Sequence, residues 1–259
     1  MGEVITSFLA GWFVVPNVFG LGLALLFGAI WLAGYWPPLF KKHWLWAVMV
    51  ASAFLSLAAV AFLQIPLQVL TGQLLGAAWS QEVIMQWLLL AGMPQILLSG
   101  LVQEGAKMVP IVVWRWRANM KLSPRMGLLI GAIAGAGFGV YEAVWAHTRI
   151  IAAGWTWQAL QTDGLLAVAG FWERFFAVAF HIAASALVGY GLARGKWWQF
   201  YLIAAGLHAL LNYAAVFLAG GFLTIIQLEI YVAVIAVLVT VAALRLRWRR
   251  TEELAESEI

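Results

Sequence analysis

Long apolar runs, each broken by a short polar or basic stretch, set the pattern of this chain. Seven of them are read as membrane-crossing helices, for which about 20 mainly apolar residues are needed. They fall roughly at 10–34, 44–66, 88–114, 126–148, 170–192, 198–219 and 223–245. Pro37-Pro38, Ser123-Pro124 and Gly220-Gly221 punctuate them. Pro94 and Pro110 fall in or near the third run, where a proline is tolerated if neighbours satisfy the carbonyl it frees. The predicted fold class is all-α: a polytopic membrane helix bundle of about seven transmembrane helices, a single transmembrane domain over residues 1–259.

The basic residues alternate with the spans. Lys41 and Lys42 follow the first, Arg115, Arg117, Lys121 and Arg125 the third, Arg194 and Lys196 the fifth, and Arg245, Arg247, Arg249 and Arg250 the seventh. The loops between (about 67–87, 149–169 and 220–222) carry only Arg149. The positive-inside rule then puts the N-terminus outside and the C-terminus in the cytoplasm. Many of the 16 tryptophans lie near proposed span ends and fit interfacial belts.

Composition agrees. The chain is 64% hydrophobic and 10% charged, against about 25% charged in soluble domains. Its net charge of +4 is made by topology signals, so no nucleic-acid partner is called for. With no cysteine, disulfides, thiolate nucleophiles and Cys metal ligands are excluded. The N-terminus lacks a charged n-region and an obvious cleavage site, and the first apolar segment is read as a retained span. The tail Thr251–Ile259, with four glutamates, reads as a solvated end.

Polar groups at membrane depth cost free energy and mark functional sites by default. Glu104 lies about ten residues, roughly 15 Å of helix, from the cytoplasmic end of the third span. Lys107 is three residues on and shares its face, so a structural ion pair is the plainer alternative. Glu142 lies in the outer half of the fourth span, after Gly127, Gly131, Gly135 and Gly139. That ladder is a small-xxx-small packing face, expected to bring Glu142 close to a neighbouring helix. His181 sits mid-span in the fifth helix with Arg174 seven residues earlier. His208 and Asn212, four apart on the sixth, point the same way. His147 and His43 read as interfacial, Glu173 and Arg174 as interface anchors, and Glu229 as a weaker, structural candidate.

Taken in order, these residues resemble the PrsW family and the wider clan of glutamate-type intramembrane proteases that includes the CAAX prenyl endopeptidases. The clan's Glu-Glu-x-x-Lys motif is similar to Gln103-Glu104-Gly105-Ala106-Lys107, and its Phe-x-x-x-Glu motif to Phe138–Glu142. Its lone histidine is similar to His181, in the stretch from Arg174 to Gly189, and its His-x-x-x-Asn motif to His208–Asn212. Gln103 departs from the pattern and leaves Glu104 as the acid of the first motif. The motif-bearing core is about 88–219.

The resemblance implies an intramembrane endopeptidase in a prokaryotic cytoplasmic membrane, acting on a membrane-anchored or lipid-modified protein without a cofactor. Glu104 is then the base toward water, Glu142 or His181 orients that water, and His208 and Asn212 hold the oxyanion. Lys107, Phe138 and Arg174 support them, and the glycine-rich fourth helix lines or gates substrate entry. Two histidines and a glutamate also suit Zn²⁺, although no His-Glu-x-x-His motif exists. A non-catalytic membrane scaffold of the same clan, favoured by Gln103, and a proton-coupled transporter are the remaining readings.

Overall fold

The computed structural model describes residues 2–118 and 122–249. Lys121, Arg250 and the tail Thr251–Ile259 lie outside the described residues. The helices are α1 (Gly2–Trp12), α2 (Val18–Ala33), α3 (Trp44–Ala59), α4 (Ile65–Ala78), α5 (Gln81–Gln86), α6 (Leu88–Ala118), α7 (Pro124–Ala152), α8 (Ala159–Asp163), α9 (Ala169–Ala193), α10 (Trp197–Ala219) and α11 (Ile225–Trp248). A π-helical turn, Val60–Gln64, joins α3 to α4, and a 3-10 turn, Gly164–Val168, joins α8 to α9. No strand occurs among the described residues. Six helical stretches are long and apolar enough to cross a membrane, and Val18–Ala33 is a shorter apolar helix. The chain is an integral, multi-pass membrane helix bundle.

Two boundaries differ from the sequence reading. The first run, read as 10–34, breaks at Phe13–Asn17. There Asn17 caps α2, its Oδ1 accepting from the backbone N–H groups of Phe19 (3.0 Å) and Gly20 (3.2 Å). The second run does not stop at 66 but continues to Ala78. Its π turn shifts the hydrogen bonding, with the Ile65 N–H donating to the Val60 carbonyl, and Pro66 then falls in the first turn of α4, where a missing N–H costs little. The outer loop expected at 67–87 is therefore mostly helix. The other punctuation holds. Ser123 caps α7 ahead of Pro124, and Gly221 takes a left-handed φ of 69° between α10 and α11.

The basic loops meet at one end of the bundle. Arg115 donates to the Leu192 carbonyl, Arg247 to that of Tyr35 and Trp248 to that of Gly34. Trp44 stacks on Trp114 at the same end.

Helices α7 and α9 form the centre, with 83% and 89% of their most apolar windows buried against 28% for α11. Their interface is the largest in the bundle. It exists because Gly127, Gly131 and Gly135 present no side chain. A Cβ at these positions would collide with the backbone carbonyls of Gly189, Ser185 and His181. Backbones this close gain Cα–H···O contacts and dispersion, the main adhesive between helices in lipid. The ladder thus packs as expected. It does not line an entry route, because Gly127–Gly139 is wholly buried.

Candidate functional site

Close packing of α7 on α9 brings the polar groups of both helices together just beyond the ladder. Glu142 Oε2 accepts from Arg174 (2.9 Å) and lies 3.2 Å from Nε2 of His181. Arg174 also pairs with Glu173. Arg174 therefore points inward to Glu142 instead of anchoring the interface. From α6, Lys107 Nζ reaches Glu104 Oε1 at 2.5 Å and His181 Nδ1 at 2.9 Å. From α10, His208 Nδ1 meets the same Glu104 Oε1 at 2.7 Å. Glu104, Lys107, His181 and His208 are each at most 2% exposed. Phe138 closes the group, with its ring edge-to-face against His181 and the Lys107 ammonium 5.7 Å from its centroid.

The partners fix the protons. An ammonium only donates, so Nδ1 of His181 accepts from Lys107 and its Nε2–H points at Glu142. A carboxylate only accepts, so Nδ1 of His208 donates to Glu104 and its Nε2 is left bare. One directed network results: Lys107 donates to Glu104 and His181, His181 donates to Glu142, and His208 donates to Glu104.

A cavity of about 310 Å³ adjoins this network, at the lower end of ligand-site sizes. Glu142, Arg174, His181, His208 and Asn212 all line it. Glu104 and Lys107 do not. They stand one layer back, behind the histidines. Asn212 donates to Ser99 Oγ at 2.9 Å, which turns its amide along the cavity wall.

A family model described as YhfC intramembrane metalloprotease matches residues 139–236. No curated protein and no solved structure matches the chain. The similarity is to an intramembrane protease family, with nothing in it specific to PrsW or to the CAAX endopeptidases. Its span holds every cavity-lining group of α7, α9 and α10, and leaves Glu104 and Lys107 outside.

The donor chemistry admits a metal. Glu104, His181 and His208 each offer a ligand atom, all within 4.8 Å of one another. One glutamate and two histidines are a zinc-type set, and Glu104 Oε2 is buried with no hydrogen-bond partner among the described residues. The Lys107 ammonium, however, already contacts two of the three groups.

Other candidates fall elsewhere. His147, read as interfacial, is fully buried. Its Nδ1 meets the Gly20 carbonyl at 2.9 Å, because α2 crosses α7 where Gly20 has no side chain to keep them apart. His43 is exposed in its loop, as expected. Glu229 lies outside the cavity, on an apolar pocket with Trp172 and Leu166. Three polar cavity residues were not singled out from the sequence: Gln64, Gln68 and Ser99. The available signal was two glutamines four apart at the end of an apolar run, hence on one face.

Proposed function

We propose that the chain is an intramembrane endopeptidase of the glutamate type, which hydrolyses a peptide bond of a membrane-anchored or lipid-modified protein. The observation that carries this reading is the Glu104–His208 pair. A carboxylate holds one ring nitrogen and leaves the other bare, on a cavity shared with Glu142 and Asn212. This is how a buried acid orients a histidine to act as a base. The similarity to an intramembrane protease family over residues 139–236, which include His208 but not Glu104, supports the protease activity.

Within this reading, water sits in the cavity against Glu142 and His208. Nε2 of His208 takes its proton as the oxygen bonds to the substrate carbonyl carbon. The negative charge that moves onto the carbonyl oxygen meets the unused N–H of Asn212. The C–N bond then breaks, and His208 returns the proton to the leaving nitrogen. Glu104, expected as the base toward water, is off the cavity and is here a positioning residue; His208, expected to hold the oxyanion, takes the base's part, and Glu142 is the carboxylate that meets water. Lys107 balances the charge of Glu104 and sets the tautomer of His181.

A metal-dependent variant of the same activity is favoured by the Glu104, His181 and His208 donor set and by the description of the matching family. When bound there, zinc would supply an activated water and polarise the carbonyl. Lys107 would then have to leave Glu104 and His181.

The test is cleavage of single-span and prenylated peptides in liposomes, with and without a chelator. His208→Ala and Glu142→Gln are each expected to lose roughly 100-fold or more in rate, and Asn212→Ala a similar factor. Cleavage that ignores the chelator supports the glutamate type. Cleavage lost on chelation and restored by zinc replaces it with the metal type. Full activity in His208→Ala defeats both.

A further inference from the structure

Gln64 at the end of the π turn, Gln68 on α4 and Gln103 on α6 form a row of side-chain amides. Gln103 Nε2 donates to Gln64 Oε1 at 3.0 Å, Gln64 Nε2 to Gln68 Oε1 at 3.4 Å, and Gln68 Nε2 to the Gln95 carbonyl at 2.9 Å. As a simple adhesive between helices, such a row would be closed to the interior. Gln103 and Gln64 are almost equally buried, at 7% and 8% exposed, but Gln103 lies off the cavity. Gln64 and Gln68, in contrast, both line the cavity that holds His208 and Asn212.

Their bonding capacity is only half used. A primary amide has two N–H groups and two lone pairs. Gln64 and Gln68 each spend one of either kind within the row, so each retains one donor and one acceptor. Side by side, these are the complement of a peptide group. A substrate helix creates a demand for them. To expose a carbonyl to water it must open its own hydrogen bonds, and at membrane depth an unpaired backbone group is strongly unfavourable.

Resting on the peptidase reading, we propose that Gln64 and Gln68 form a main-chain binding strip. It pairs with the unwound backbone of the substrate and holds it against the histidine wall. The direction of the row, started by Gln103, fixes which amide atoms are spare. The site therefore selects a polypeptide stretch that has lost its helix, whatever its side chains. The position of Gln103 in the sequence motif gains a use: it orients Gln64.

The test reads binding, not cleavage. The probe is a leucine–alanine membrane-spanning peptide with a central Gly-Ser-Gly segment, added to the His208→Ala protein in liposomes and followed by fluorescence quenching. A second peptide carries esters in place of the central amides and so lacks their N–H groups. The amide peptide is expected to bind roughly tenfold more tightly than the ester. Gln64→Leu or Gln68→Leu, at unchanged unfolding midpoint, should remove most of that difference. Gln68→Leu leaves the Gln103–Gln64 pair intact, and the two-peptide comparison on the parent needs no change to the strip. Equal binding of both peptides, no binding of either, or a difference that survives both leucine variants overturns the proposal. Amide-dependent binding without cleavage by the unmutated protein would sink the peptidase reading and keep the strip; cleavage with amide-independent binding would do the reverse.

Discussion

From Gly127 to Gly135, α7 meets α9 backbone against backbone. A turn or two further out, the same helices meet through Glu142, Arg174 and His181. The inner half is dry and made of the smallest residues. The outer half is charged and opens on a cavity. The two are linked by register. Each step of four along α7 is a step of four back along α9, from Gly127 and Gly189 through Gly131 and Ser185 to Gly135 and His181. Continued outward, that register sets Glu142 opposite Arg174. The tight half works as a ruler for the polar half. Ion pairs between flexible side chains would fix helix positions poorly, whereas a backbone contact without side chains has one seat.

The comparison breaks most severely at Lys107. Lys107→Met leaves Glu104 buried without its cation and should cost about 3–5 kcal/mol, read as unfolding in detergent. Adding Glu104→Gln removes the stranded charge and is expected to restore most of the loss. If the double variant is no more stable than the single one, the pair does not act as a unit.

In the tight half, Gly131→Ala should cost about 3 kcal/mol, since its methyl would meet the backbone at Ser185 and Ala186. Gly22→Ala is the control, with open space around the new Cβ, and is expected to leave the midpoint unchanged. Equal effects at both positions would mean that the ladder is not what aligns α7 with α9.

The smallest effect is expected at the third buried histidine. His147→Phe loses one hydrogen bond to Gly20, worth about 1 kcal/mol. It should leave peptide cleavage at the wild-type rate, because His147 is not on the cavity. A large loss of cleavage there would join α2 to the chemistry.

Sequence made some of this legible and hid the rest for definite reasons. Spans, and the gathering of the basic loops at one end of the bundle, could be read because apolar length and charge position are one-dimensional signals. The ladder could be read because a repeat of four in a helix means one face. Depth along each span was legible too, which is why Glu104, His181 and His208 could be placed at one level. Rotation about the helix axis was not. It decides that Glu104 stands behind His208 while Glu142 meets the cavity, and that Arg174 turns inward. The break at Asn17 was hidden inside an apolar run. The extension to Ala78 was hidden by Gln68, Thr71 and Gln73, which imitate a loop. Gln64 and Gln68 belong to no motif, so only the fold brings them to the site.

One feature of the helices reaches into the lipid. At 16 residues, α2 is about 24 Å long, shorter than the ~30 Å hydrocarbon layer. The continuous stretch Trp44–Ala78, at 35 residues, is about 52 Å and far exceeds it. Lipid around a short helix compresses, and around a long one it thickens or the helix leans. One flank of this bundle is therefore lined by a helix shorter than that layer and another by a stretch that must lean to stay within it. The short helix is the one that backs onto α7 and α9, so any thinning of the lipid around it falls beside the pair of helices that carries Glu142 and Arg174.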